Sequence, residues 1–493
     1  MTSPKFTRHE MTIRQTRLWI GGEFCSAKDK ATFIDLNPED DMPYAEVSRA
    51  SGDDVKLAVE AANEAFQSYR DTTPSQREAW LSRAADLFGQ RMNELVDVLV
   101  DEGGSPLMKA QYEVKFAIDC LRTAVGIPRR TTGMTFPSDN PGRFSMAVRA
   151  PIGVFACITP FNVPLIKAMV ECTGPLATGN TVVMLASEEA PVIAIRIAEI
   201  FRDAGFPPGS FNVLTGFGHE IGDTLVTHPL VKGVNFTGST RVGRHLSELC
   251  GRHMKRILLE LGGKNPLIVL KDADLNEAVQ GAVFGMFLYQ GQACMASSRI
   301  LVEASIYDAF LESFKAASSS LGFGDLREPR TMIGPIISNR QRERIRRHID
   351  DAVAKGAKVE MGGSWEGNRC AATILTGVQR EMDCYYEETF GPVTAVYKVD
   401  SADEALTIAN DTSYGLSAAV YTKNLSEAMR LSQSIRAGMV HINAPTLHDE
   451  PHVPFGGVGD SGMGREGAVT DIDHCTEWKW VTVQAPNVIS GQH

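Results

Sequence analysis

The feature that most constrains the fold is an alternation of short apolar runs and amphipathic stretches from about residue 149 to about 260. Val154–Ile158, Thr181–Leu185, Phe211–Leu214, 233–236 and Arg256–Glu260 read as strands. Between them, 164–176, 191–204, a stretch reaching about Val226, and 241–250 carry helical spacing. Strands with little polar face must be covered on both sides, which helices crossing over a parallel sheet accomplish. Five such strands with crossover helices predict a doubly wound α/β domain of the dinucleotide-binding kind.

A second alternating region runs from Leu267 to about 443 and predicts a further α/β domain. Its helices are expected at 274–287, 306–319, 339–354, 402–410 and 426–435, with strands at 299–303, 393–397, 417–421 and 439–442. Upstream, 53–70, a helix capped by Ser75, 93–102 and 107–126 read as helices. Residues 18–24 read as a strand and turn, 37–40 as a turn, and 1–16 as a frayed tail. Residues 127–148 are polar and punctuated by Gly and Pro, an excursion from the core. The alternating run 477–483 reads as an edge strand suited to pairing outside its own domain, including with another subunit.

At 493 residues the chain exceeds one ordinary core, so two or three domains are expected. Its 49 Lys+Arg against 60 Asp+Glu leave a net charge of −11, which argues against nucleic acid or an anionic membrane as partner. Nine scattered cysteines include no C-x-x-C and no zinc-like His/Cys spacing, so free thiols, no metal site and a reducing, cytoplasmic compartment are expected. The start of the chain has no apolar h-region, and no run is long and apolar enough to span a bilayer.

Several segments carry candidate chemistry. In 288–299, Cys294 sits on a Gly/Gln-rich turn between a helix and a strand, where a thiolate can meet substrate; a buried structural cysteine is the plain alternative. Phe236-Thr237-Gly238-Ser239 joins a strand to a helix whose free N–H groups suit a phosphate. Gly216-Phe217-Gly218-His219-Glu220-Ile221-Gly222 also follows a strand, but is one residue longer than the usual dinucleotide fingerprint. Glu188, just past Leu185, suits ribose hydroxyls and would repel a 2′-phosphate, or simply opens the next helix as a solvated charge. Glu260 lies among apolar residues before a double glycine; it fits a desolvated general base or a buried partner of Lys264. Asn162, between Pro160 and Pro164, can donate to an oxyanion or serve turn chemistry.

Taken together, Asn162, Phe236–Ser239, Glu260 and Cys294 in this order resemble the aldehyde dehydrogenase superfamily. The resemblance spans nearly the whole chain, from Ile20-Gly21-Gly22-Glu23 through Glu387-Glu388-Thr389-Phe390-Gly391-Pro392 and Tyr414-Gly415-Leu416 to Pro454-Phe455-Gly456-Gly457 and Ser461-Gly462-Met463-Gly464-Arg465-Glu466. The 34 positions separating Glu260 from Cys294 also match. The resemblance implies Cys294 as nucleophile, Glu260 as general base, and Asn162 with the Cys294 N–H as oxyanion hole. It implies NAD as cofactor: Ser239 and its turn on the pyrophosphate, Glu188 on the adenine ribose, Glu388 on the nicotinamide ribose and Phe390 beside the nicotinamide. Ile158, Thr159, Pro160, Phe161, Gly218, Phe236, Gly238, Val242, Leu261 and Gly262 would complete that cleft. The implied domain plan is an NAD-binding domain of 12–126 and 149–261, a catalytic domain of 262–465, and a β oligomerisation arm of 127–148 and 470–493. That arm implies a homodimer or homotetramer.

Two departures narrow the reading. Leu185 stands where the family usually has a lysine reaching the adenine ribose, which makes NADP less suited. A second lysine, common in the helix after the catalytic Asn, is missing from Met169-Val170-Glu171-Cys172-Thr173. That gap, and the segment 442–451, are similar to the branch acting on aromatic aldehydes such as benzaldehyde, salicylaldehyde and vanillin. The expected activity is therefore NAD-dependent oxidation of an aromatic aldehyde to its acid. Val163, Ile166, Met169, Phe287, Ala293, Met295, Leu447, His448 and Phe455 are the implied pocket, with His448 facing a phenolic hydroxyl. The alternatives are an aliphatic or semialdehyde dehydrogenase, a CoA-acylating enzyme, and a catalytically silent protein on this scaffold.

Overall fold

Val154, Phe155, Ala156 and Cys157 are completely buried, which places their strand mid-sheet with helices on both faces. In the computed structural model, which describes residues 14–485, this strand is fourth in an eight-stranded sheet. The order is Gly462–Met463, Arg256–Glu260, Val231–Thr237, Val154–Ile158, Thr181–Leu185, Phe211–Leu214, Leu18–Ile20, Glu23–Cys25. The five central strands are parallel and the outer ones antiparallel. The chain builds outward from Val154–Ile158 on one side, then returns to its other side for Val231–Thr237. The sheet therefore has its switch point between Ile158 and Thr237, where doubly wound sheets bind ligands.

Leaving Glu260 at the carboxyl end of this sheet, the chain enters the next at Pro266. The second sheet has seven strands: Lys358–Met361, Thr373–Thr376, Val393–Val399, Arg299–Glu303, Pro266–Val269, Ser417–Tyr421 and Met439–Ile442. All pairs but the first are parallel. The carboxyl edge of the first sheet thus faces the amino edge of the second, and the turns at that seam carry the candidate residues.

A third sheet pairs Thr476–Gln484 with Arg143–Pro151 along its full length, with Met134–Phe136 beyond. Trp480 on it is 73% exposed, and Trp478, Phe144 and Phe136 are exposed too. The edge strand read at 477–483 therefore pairs within the chain, while an apolar face of its sheet lies open. Among the described residues no helix is long and apolar enough to cross a membrane.

The structure amends the reading in places. Arg14–Thr16, taken as tail, pairs in parallel with Met42–Ser48, and the turn at 37–40 closes a hairpin of Thr32–Asn37 on that strand. Exposure alternates along Thr32–Asn37 but against polarity, with Ile34 and Leu36 exposed and Asp35 buried, so no hydrophobic pattern marks it. Pro266–Val269, at the head of the second alternating region, is a central strand of the second sheet. Residues 1–13 of the expected tail and 486–493 of the expected arm lie outside the described residues.

Candidate active site

The cysteine turn is held in a conformation its sequence does not favour. Tyr289 and Gln290 have φ of 51° and 45°, followed by Gly291 at 69°. Non-glycine residues in this region cost about 1–2 kcal/mol each, so surrounding contacts must hold them. The Tyr289 hydroxyl donates to the Gly103 carbonyl at 2.8 Å, and Gln290 Nε2 to the Pro335 carbonyl at 2.9 Å. Gln292 Oε1 accepts from Ile337 N–H at 3.1 Å. Asn265 Nδ2 donates to the carbonyls of Cys294 at 2.8 Å and Ala296 at 2.9 Å. The fully buried Arg299 guanidinium donates to the carbonyls of Lys264, Ile408 and Ala409. Within 289–299 only Ala293, Cys294 and Met295 stay partly accessible. The turn presents the thiol and hides its own frame.

Asn162 and Glu260 come to this turn from the switch point. Asn162 Nδ2 donates to the Gln292 carbonyl at 3.0 Å, two residues before the cysteine. Glu260 is 2% exposed, and neither carboxyl oxygen has a hydrogen-bond partner among the described residues. Gly456, at φ 149°, makes room for it; a Cβ there would meet Glu260 Oε1 at 2.5 Å. Burial pushes the Glu260 carboxyl well above its usual range, with nearby Glu466 adding and Lys167 opposing. Burial pulls the pKa of Lys264, the alternative partner, down to about 8, with Cys384 and Glu388 opposing and Arg299 adding to the shift. Burial likewise pushes the Cys294 thiol up to about 12, with Lys167 as the opposing charge.

Lys167 is the main omission from the sequence reading. The expectation that the helix after Asn162 lacks its lysine holds for residues 169–173, but Pro164–Ala177 carries one nearer its start. Lys167 Nζ sits 2.5 Å from Glu466 Oε2 and 4.8 Å from the centre of the Phe455 ring. Asn265 was also missed. A lone Asn after a glycine pair has no sequence signature for bonding a carbonyl 29 residues on.

The residues expected around the cofactor gather at the switch point. Ile158, Thr159, Pro160 and Phe161 lead off Val154–Ile158, while Phe236, Gly238 and Ser239 close Val231–Thr237 and open the helix Thr240–Arg252. Ser239 caps that helix, accepting from Val242 N–H at 3.4 Å, and Gly238 N–H donates to the Glu260 carbonyl at 3.0 Å. Leu261 is buried, its N–H bonded to the Ser461 carbonyl at 3.0 Å. Gly262 lies against the Glu388 carboxyl, whose Oε1 accepts from Gly263 N–H at 3.0 Å. Burial raises Glu388 to about 7. Phe390, at φ 54°, is held by Gln341 Nε2, which donates to the Thr389 and Phe390 carbonyls, and stands edge-on to Phe161 at 5.8 Å. Gly218 opens the helix Gly218–Thr227, and Glu188 is partly accessible beyond Leu185. Capped helix start, acceptor carboxylates and aromatic pair fit a dinucleotide laid across the switch point.

The expected pocket divides. Ala293, Met295, Val163 and Leu447 are partly accessible, and Phe455 is buried against Lys167. Phe287 instead stacks on Phe314 inside the core of the second sheet, and Met169 and Ile166 pack into the core of the first. All three are buried. His448 is half exposed, 3.4 Å from Glu450. Its neighbour Asp449 turns inward instead; Oδ1 is buried without a partner, and the carboxyl is raised by burial to about 6. Thr446 anchors this segment to the cysteine turn, donating to the Met295 carbonyl at 2.7 Å.

A doubly wound sheet with a capped helix start at its switch point, joined to a second parallel sheet that carries the cysteine turn, has the architecture of a dinucleotide-dependent enzyme. The aldehyde dehydrogenase family model matches residues 24–481, and the chain belongs to that family, whose members oxidise aldehydes with a nicotinamide dinucleotide as acceptor. It is 41% identical to a vanillin dehydrogenase of Pseudomonas fluorescens over 95% of this chain and 97% of that protein. It is 38% identical to a benzaldehyde dehydrogenase of Bacillus subtilis, over 94% of this chain and 96% of that one. Among solved structures, a salicylaldehyde dehydrogenase from Pseudomonas putida G7 complexed with salicylaldehyde superposes with a TM-score of 0.94 at 37% identity, covering 97% of this chain and all of that one.

Proposed function

We propose that this enzyme oxidises an aromatic aldehyde, preferably a hydroxylated one, to the carboxylate with NAD. The observation that carries the reading is the meeting of three separate segments: the partly accessible residue Cys294, Asn162 bonded two residues before it, and Glu260, whose oxygens have no partner among the described residues. The Cys294 thiol gives its proton to solvent as Sγ adds to the aldehyde carbon, and the resulting oxyanion is met by Asn162 Nδ2 and the Cys294 N–H. When bound, NAD would supply the acceptor for the hydride on this carbon, and Cys294 would then carry the acyl group as a thioester. Glu260 takes a proton from a water that attacks the thioester, releasing the acid and restoring the thiol. A base with no competing bond favours this hydrolysis over transfer to coenzyme A.

Support for an aromatic substrate comes from vanillin, benzaldehyde and salicylaldehyde dehydrogenases among the relatives. Asp449 Oδ1 is a buried acceptor suited to a ring hydroxyl, a role we assign to it rather than to the half-exposed His448. NAD is preferred because Leu185 supplies no cation and Glu188 would repel a 2′-phosphate. We further assign 12–126 with 149–261 to NAD binding and 262–465 to catalysis. The sheet of 143–151 and 476–484, with its exposed tryptophans, is the surface we assign to a homodimer or homotetramer. Nine free cysteines favour the cytoplasm.

The test is kcat/KM for benzaldehyde, 4-hydroxy-3-methoxybenzaldehyde, salicylaldehyde and a straight-chain aldehyde, each with NAD and NADP. Preference for the straight chain removes the aromatic assignment, and preference for NADP removes the cofactor assignment. Acyl-CoA as main product with coenzyme A present removes hydrolysis.

A further inference from the structure

Behind Asn162 lies a buried ion pair that the reaction as described does not use. Lys109, on the helix Leu107–Val125, is 3% exposed and Glu113, one turn on, is fully buried. Lys109 Nζ donates to Glu113 Oε2 at 2.5 Å, to Ser105 Oγ at 3.1 Å and to the Asn162 carbonyl at 2.7 Å. Its three hydrogens thereby have three acceptors, and its nitrogen lies 3.9 Å from the centre of the Tyr289 ring. Glu113 uses its other oxygen, Oε1, to accept from Leu165 N–H at 2.9 Å. The cation thus grips the carbonyl of Asn162 and the anion the N–H of Leu165, clamping both ends of the segment that carries the oxyanion donor.

Tyr289 belongs to the strained left-handed pair that leads into Cys294, and its hydroxyl is tied to Gly103 at the end of the preceding helix. One ammonium therefore touches the Asn162 segment and the cysteine turn at once. A buried ion pair is a poor source of stability, since its desolvation offsets its attraction, whereas a saturated ammonium has only one arrangement of partners.

We propose that Lys109 is a positioning residue that sets the distance between the Asn162 amide and the Cys294 turn, with Glu113 as its counter-anchor and Tyr289 as its contact on the cysteine side. This rests on the oxyanion role given to Asn162. The pair does not touch substrate; it acts by keeping a donor within the few tenths of an ångström that transition-state hydrogen bonds demand.

The experiment is a double-mutant cycle read by the pre-steady-state rate of NADH formation, with KM, NAD binding and thermal midpoint measured on each variant. The variants are Asn162→Ala, Lys109→Met, and both together. Because Lys109→Met leaves Glu113 buried without its cation, Lys109→Met/Glu113→Gln is made in parallel as a neutral pair, alone and with Asn162→Ala. In the wild-type background we expect the hydride step to slow about 10- to 100-fold, with KM and NAD binding within about threefold. In the Asn162→Ala background the same substitutions should slow it less than about twofold further, because the donor they position is gone. Fully multiplicative losses, or a wild-type rate in the neutral pair, overturn the proposal while leaving the function standing. A wild-type rate in Asn162→Ala itself overturns the oxyanion assignment and this proposal with it.

Discussion

Lys167 Nζ and Glu466 Oε2 lie 2.5 Å apart with both side chains nearly inaccessible to solvent. Around this pair sit Glu171, Glu260, Asp449 and Cys294, so Lys167 is the cation shared by several acidic groups. Burial pulls its pKa down, but Glu466, Glu260 and Cys294 together carry it above the ordinary lysine value. It stays charged and favours the thiolate.

Lys167→Met is therefore expected to raise the Cys294 pKa further and slow its alkylation by iodoacetamide about tenfold at pH 8, the effect of about one pKa unit. Alkylation at the wild-type rate would show that the thiol does not feel this charge.

Cys294→Ala is expected to abolish NADH formation while leaving the far-ultraviolet circular dichroism and NAD binding unchanged, since the turn is framed by other residues. Residual turnover above about a thousandth of wild type would place the nucleophile elsewhere.

Glu260→Gln is expected to give one rapid equivalent of NADH and then a stall, because thioester formation does not need the base and hydrolysis does. In the wild type the same step should weaken as pH falls: Glu260 acts deprotonated, and burial has raised its pKa, so protonation removes the base at a higher pH than for an exposed glutamate. A pH-independent deacylation rate from pH 5 to 9 would contradict this.

Glu171 tests the cost of the acidic cluster. Burial, then Glu466, raises its folded pKa well above the ordinary carboxyl value. Between the unfolded pKa and that raised value only the unfolded chain ionises, so this group's stability is complete at low pH and is lost as pH rises. Glu171→Gln should accordingly gain stability on wild type between pH 5 and pH 8, by up to about 1.4 kcal/mol per pH unit. Urea midpoints at the two pH values measure it, and parallel midpoints would refute it.

Gly263→Ala should disrupt the site without altering a reactive group. A Cβ there would collide with the Cys294 carbonyl and the Asn265 amide, the bond that fixes the back of the turn. The expected cost is about 1–3 kcal/mol of stability and most of the activity, read by thermal midpoint and kcat. A wild-type kcat would mean the turn tolerates displacement.

The doubly wound core was legible because its strands are apolar on both faces and its crossover helices are long enough to show their period. The hairpin of 32–48 was not, because it exposes Ile34 and Leu36 and buries Asp35. Phe287 and Met169, pocket residues by the family resemblance, are buried in the two cores, which the sequence pattern did not report. Asp449 turns inward beside the half-exposed His448, a difference between adjacent loop residues that no local pattern reports.

Sequence alone determined the chemistry: a thiol, a carboxyl and an amide, each at a strand end or turn, in an order and spacing that mark the family. Tertiary structure alone decided what tunes them. That Lys167 charges the thiol's surroundings, that Asn265 and Arg299 frame its turn, and that Lys109 bridges Tyr289 and Asn162 depend on contacts between segments tens to more than a hundred residues apart. Local patterns report which face of an element is buried; only the packed chain brings a given cation to a given carbonyl.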